Sequence, residues 1–124
     1  MKETLDKNSV EYVSVKLFFA VCEKWQLSDE EVLQLSGVAG SHALNDLKNY
    51  KYGSVNKEFL VRASHITSIY KSLHTMLNED QANQWVKKAN SKFDEKSALD
   101  TMLIVGLSGL KEVDQYLIAS MWGA

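Results

Sequence analysis

The sequence predicts an all-α protein, and three observations carry that prediction. Apolar residues recur at spacings of three and four along nearly the whole chain, the pattern of helices with one buried face. There is no proline to break a helix, and the six glycines fall mostly between the periodic segments. Sustained apolar–polar alternation is missing: Val10–Val15 alternates weakly and then runs into a helical pattern.

Seven helices follow in order. In the first, about residues 11–25, Val13, Leu17, Phe18, Val21 and Trp25 form the inward stripe. The second opens at Ser28, where Glu31 completes a capping box, Leu27 and Val32 are placed for a hydrophobic staple, and Asp29 and Glu30 meet the positive end of the helix dipole. It stops at Gly37, a C-cap glycine. The third runs over about Ser41–Tyr50 with Ala43, Leu44 and Leu47 inward. The fourth and longest, residues 57–77, steps through Phe59, Ala63, Ile66, Tyr70, Leu73 and Leu77. A short fifth helix holds Ala82, Trp85 and Val86, and a polar loop, Asn90 to Lys96, comes after it. Ser97 caps the sixth, with Ala98, Leu99, Met102 and Leu103, and Gly106 and Gly109 flank the break before the seventh, Leu110 to about Ser120.

Composition narrows the setting. The 124 residues, 45% hydrophobic and 24% charged, suit one domain or two small ones sharing a core. A single cysteine excludes an internal disulfide. No apolar run approaches the ~18–20 residues of a membrane span, and the start, Met1-Lys2-Glu3-Thr4, has no apolar leader, so a cytoplasmic location with no membrane partner is expected. Residues 1–10, with little apolar content, are expected to fray.

The net charge of −2 is not that of a strong nucleic-acid binder, but the charge is unevenly placed. Residues 1–40 carry −3, residues 41–77 carry +3 and residues 78–124 carry −2. The basic stretch coincides with two short helices joined by a glycine-bearing turn, the layout of a helix-turn-helix. In such a unit Ser41, His42, Asn45, Lys48 and Asn49 on the third helix would meet DNA, with Asn reading adenine and Lys reaching guanine or phosphate, while Lys51, Lys57 and Arg62 add backbone contacts. A plain helical hairpin inside a bundle fits the same periodicity, and Asp46 opposes phosphate.

Signals for catalysis are weak. His42, His65 and His74 have no metal-ligand spacing, Cys22 lies on an apolar helix face, and phosphate loops, nucleophile elbows and zinc patterns are missing. We expect no enzyme, no metal and no cofactor. Trp122, third from the end, is either tucked against its own domain or offered to a partner.

The C-terminal third reads Trp85-Val86, Asn90, Phe93, Ser97-Ala98-Leu99-Asp100-Thr101-Met102-Leu103, Gly106, Leu110, Val113 and Tyr116-Leu117. In order and spacing this resembles the toxin-binding domain of the Xre/MbcA/ParS antitoxin family. Leu27 to Val38 resembles that family's Xre-type helix-turn-helix, and Ser64 to Leu73 its joining helix, so the likeness covers roughly residues 11–122. It implies an Xre-like helix-turn-helix domain over 1–77 and a small helical toxin-binding domain over 78–124. It further implies a bacterial type II antitoxin, not itself an enzyme, that covers the active site of a cognate RES-domain toxin. Such toxins consume NAD or use it to ADP-ribosylate a target. Homodimerisation through the N-terminal helices and autorepression at operator DNA are implied as well.

On that resemblance the toxin-binding residues are Asn90, Phe93, Ser97, Leu99, Asp100, Tyr116, Met121, Trp122, Gly123 and Ala124. Separately from the resemblance, the charge of an Ala124 carboxylate is expected to suit a basic group of the toxin. The ending departs from the family's frequent Arg-Gly-Gly-like stretch: it is Ser120-Met121-Trp122-Gly123-Ala124. A helix-turn-helix regulator or helical adaptor without a toxin is the alternative.

Overall fold

The computed structural model describes residues 3–121, and it is mostly helical, as the periodicity predicts. Among the described residues there are seven α-helices: α1 (Val10–Lys24), α2 (Asp29–Ser36), α3 (Ser41–Lys48), α4 (Lys57–Met76), α5 (Glu79–Trp85), α6 (Ala98–Val105) and α7 (Leu107–Met121). The chain forms two compact units, Met1–Ser64 and His65–Ala124, so the division falls inside α4 rather than after residue 77. A 20-residue helix contributes core to both units, and no composition break marks the change.

In the first unit α1 begins at Ser9, whose hydroxyl accepts from the Tyr12 amide. It buries Val15, Phe18, Val21 and Cys22, with Trp25 just beyond its end. Two residues expected inside are not: Val13 and Leu17 are 43% and 41% exposed, and with Val10 at 71% they form an outward stripe. The helix carries two apolar stripes, and the one bearing the bulky Phe18 and Trp25 takes the core, where Phe18 meets Phe59 of α4 edge to face at 5.1 Å.

Helix α2 has the predicted capping box, with Ser28 N–H on Glu31 Oε1 at 2.8 Å and Glu31 N–H on Ser28 Oγ at 3.2 Å. Gly37 closes it at φ +75°, and a Cβ there would lie 2.4 Å from Arg62 Nε. Helix α3 ends at Lys48, two residues before the expected end, because Asn49 turns its amide onto the Asn45 carbonyl and Tyr50 takes a left-handed φ of 54°. The segment expected to fray is tied down within its described part. Leu5 is buried, Leu5 N–H donates to Tyr50 O and Tyr52 N–H donates to Glu3 O, a backbone pairing that composition does not reveal.

In the second unit the buried residues of α4 are Ile66, Ile69, Ser72 and Leu73. Asn78 caps α5. The expected polar loop folds instead into a small antiparallel hairpin, β1 (Ala89–Asn90) paired with β2 (Lys96–Ser97) around a 3-10 turn at Ser91–Phe93. Strands of two residues are too short to leave an alternation in the sequence. Ser97 caps α6 by accepting from the Asp100 amide at 3.0 Å.

Gly106, at φ +76°, reverses the chain, and α7 then starts at Leu107, so Gly109 lies within the helix rather than before it. Its role is close packing: a Cβ on Gly109 would stand 2.5 Å from the Thr101 carbonyl oxygen of α6 and 3.0 Å from Val105 Cβ. Because the obstacle is backbone, Gly109→Ala must push α6 and α7 apart. The expected cost is about 1–3 kcal/mol, read as a lower urea midpoint; an unchanged midpoint would mean that the two helices are not in close contact.

Candidate functional site

The α2–α3 pair stands where the helix-turn-helix layout places it, and Ser41, His42, Asn45, Lys48, Asn49 and Lys51 are all exposed. Their surroundings are less basic than the local charge suggests. Asp46 lies 4.0 Å from His42 and 3.9 Å from Lys51, so part of that positive charge faces a carboxylate. Asn49 already donates to its own helix. Arg62, expected at a DNA backbone, is 13% exposed in its side chain: it pairs with Glu58 at 3.0 Å and donates to the Gln34 and Leu35 carbonyls at the end of α2. It is a helix-end cap, satisfying carbonyls that have no partner in their own helix. Between α2 and α3 lies a cleft of about 430 Å³ with an apolar floor of Leu33 and Leu44 and the carboxylates of Asp29 and Glu30 at its edge.

In the second unit the motif residues divide into buried and exposed sets. Phe93 packs edge to face on Trp85 and on Tyr116, at centroid separations of 6.2 and 5.6 Å, and Trp85 lies parallel to Tyr116 at 6.4 Å. Leu99 is buried and its amide donates to Val86 O at 2.8 Å. Ser97 is buried as a helix cap, and the Asn90 side chain accepts from the Lys92 amide. Asp100 and Met121 are exposed and Tyr116 is half-buried. Trp122, Gly123 and Ala124 lie outside the described residues.

Sequence reasoning missed other residues. Ile104, Val105 and Ile118 are 69%, 53% and 41% exposed, apolar side chains that fall outside the inward stripes read from the sequence. It also missed a buried polar cluster. Asp114, 6% exposed, accepts from Ser68 Oγ at 2.6 Å and pairs with His65 Nδ1 at 2.8 Å. The signal was present: Asp114 stands in the Leu110–Val113–Leu117 stripe, where a carboxylate must find partners. The cluster fixes α7 to α4 within this unit. Ser68 and His65 both address the carboxylate, one on each oxygen.

Burial also decides the character of the other reactive groups. Desolvation pushes the Cys22 thiol up to about 12, so it stays a neutral core group. Among the described residues no cluster of three or more His, Cys, Asp or Glu is placed to hold a metal ion, and no helix is long and apolar enough to cross a membrane.

His65→Ala leaves the Asp114 carboxylate buried with only Ser68 as a partner. The expected loss is about 1.5–3 kcal/mol, measured by urea denaturation, with Asp114→Asn less damaging because an amide keeps an acceptor for Ser68. Equal stability of His65→Ala and the unaltered chain would contradict this role.

No family model matches the chain. It is 34% identical over 110 residues to an uncharacterized protein, y4oB, of Sinorhizobium fredii (strain NBRC 101917 / NGR234), a match that covers 88% of this chain and 84% of that protein. At that identity and coverage the chain belongs to the same family as y4oB.

Proposed function

We propose that this protein is an antitoxin that neutralises a RES-domain toxin through its C-terminal unit. One observation carries the reading. The residues of the 85–117 pattern meet in one small fold: the Trp85–Phe93–Tyr116 cluster, the Ser97 cap and the buried Leu99 are parts of a single compact unit. Their order and spacing therefore have a physical reason to be kept together. The same unit leaves Asp100 and Ile104 one turn apart on α6, and Ile118 and Met121 one turn apart on α7, with their side chains exposed. Apolar side chains exposed beside a carboxylate suit a protein partner better than bulk water.

The outward Val10–Val13–Leu17 stripe of α1 supports self-association through the N-terminal helix, since three apolar residues at helical spacing form a continuous strip.

A second reading gives α3 to operator DNA. It is favoured by the exposure of Ser41, His42, Asn45, Lys48 and Asn49 together on one short helix, and opposed by Asp29, Glu30 and Asp46 around them.

The toxin reading is tested with a chain ending at Ser120 and with Ile118→Asp. The cut spares Tyr116 and Leu117, which belong to the unit's aromatic cluster and core. The toxin for the test is a RES-domain protein, sought first among the reading frames adjoining this one. Both variants are expected to keep the far-ultraviolet spectrum and melting transition while losing about tenfold or more in affinity for that toxin, with growth rescue lost. Full rescue by both variants would contradict the reading.

A further inference from the structure

We propose that the cleft between α2 and α3 docks an arginine side chain presented by a partner protein. The cleft, about 430 Å³, falls within the size range of small-ligand sites, as a partly open hollow rather than an enclosed cavity. Its floor is apolar: Leu44 is 4% exposed and Leu33 half-buried. Its lip is anionic: Asp29 and Glu30 are exposed, and among the described residues neither forms an ion pair. Asn45 adds a side-chain amide, and Lys48 is the single cation along the lining.

These features match the two halves of an arginine. The aliphatic stem covers Leu33 and Leu44, and the planar guanidinium pairs with a carboxylate through two parallel hydrogen bonds. The dipole of α2 accounts for acidic residues in its first turn. It does not account for the apolar hollow beside them, and that hollow is what a charged head on a hydrocarbon stem needs. Duplex DNA fits the same surface poorly, because its phosphates would meet Asp29 and Glu30. The assignment is independent of the toxin reading of the C-terminal unit, and it gives Asn45 a different partner from the operator reading.

The experiment uses the full chain, labelled with nitrogen-15, and three probes: N-butylguanidinium, its neutral isostere N-butylurea, and a short DNA duplex at low salt. The guanidinium is expected to shift the amides of Asp29, Glu30, Leu33, Leu44 and Asn45 saturably, with N-butylurea weaker by about tenfold. Asp29→Asn combined with Glu30→Gln, which leaves the Ser28–Glu31 capping box intact, is expected to abolish the difference between the two probes. Equal responses to guanidinium and urea on the unaltered chain would overturn the proposal without recourse to any variant. So would DNA moving these same amides, and binding more tightly to the double variant, while the guanidinium leaves them in place.

Discussion

Short helices need their ends satisfied, and that requirement organises this molecule. Helices α2, α3 and α6 have eight residues each and α5 has seven, well below the ~12–15 at which an isolated helix becomes even marginal in water. Proline-free sequence lets them form but does not hold them. Many of their termini are closed by a side chain or a glycine: Ser28 with Glu31 at the start of α2, Gly37 and Arg62 at its end, Asn78 before α5, Ser97 before α6, whereas α3 follows Gly40 with no side-chain cap. Each side-chain cap of this kind contributes about 1 kcal/mol, a large share for helices with so few internal hydrogen bonds.

That demand explains why conspicuous polar residues are not all contact residues. Ser97 and Asn90, prominent in the C-terminal pattern, close backbone groups, and Arg62 closes α2 rather than facing phosphate. The +3 of residues 41–77 shrinks accordingly as a DNA footprint: Arg62 is engaged, Lys51 stands near Asp46, and Lys71 belongs to the other unit. What remains exposed differs between the units. In the first it is a polar helix beside two carboxylates; in the second it is apolar residues beside Asp100.

The helical class was legible because period and capping are local signals, and the Ser28–Glu31 box can be read directly from four residues. Choosing between the two stripes of α1 was not, because Val13 and Val15 are chemically alike and only the bulk of Phe18 and Trp25 on the buried stripe decides. Gly109 read as a breaker because its reason, the Thr101 carbonyl of another helix, is not a neighbour in sequence. The Asp114–His65 pair spans 49 positions and left only a polar residue in an apolar stripe as its trace. Of the candidate contact residues, the polar face of α3 was legible from helical spacing, whereas for Ile104 and Ile118 spacing left them off the inward stripe without giving a reason for apolar side chains in solvent.

The most direct test of the proposed toxin reading is hydrogen exchange on this protein mixed with a RES-domain toxin, compared with the free chain. The account predicts slowed exchange at the exposed end of α7 around Ile118 and Met121 and along α6 from Asp100 to Ile104. Unchanged exchange throughout the C-terminal unit, in a complex that forms, would contradict it.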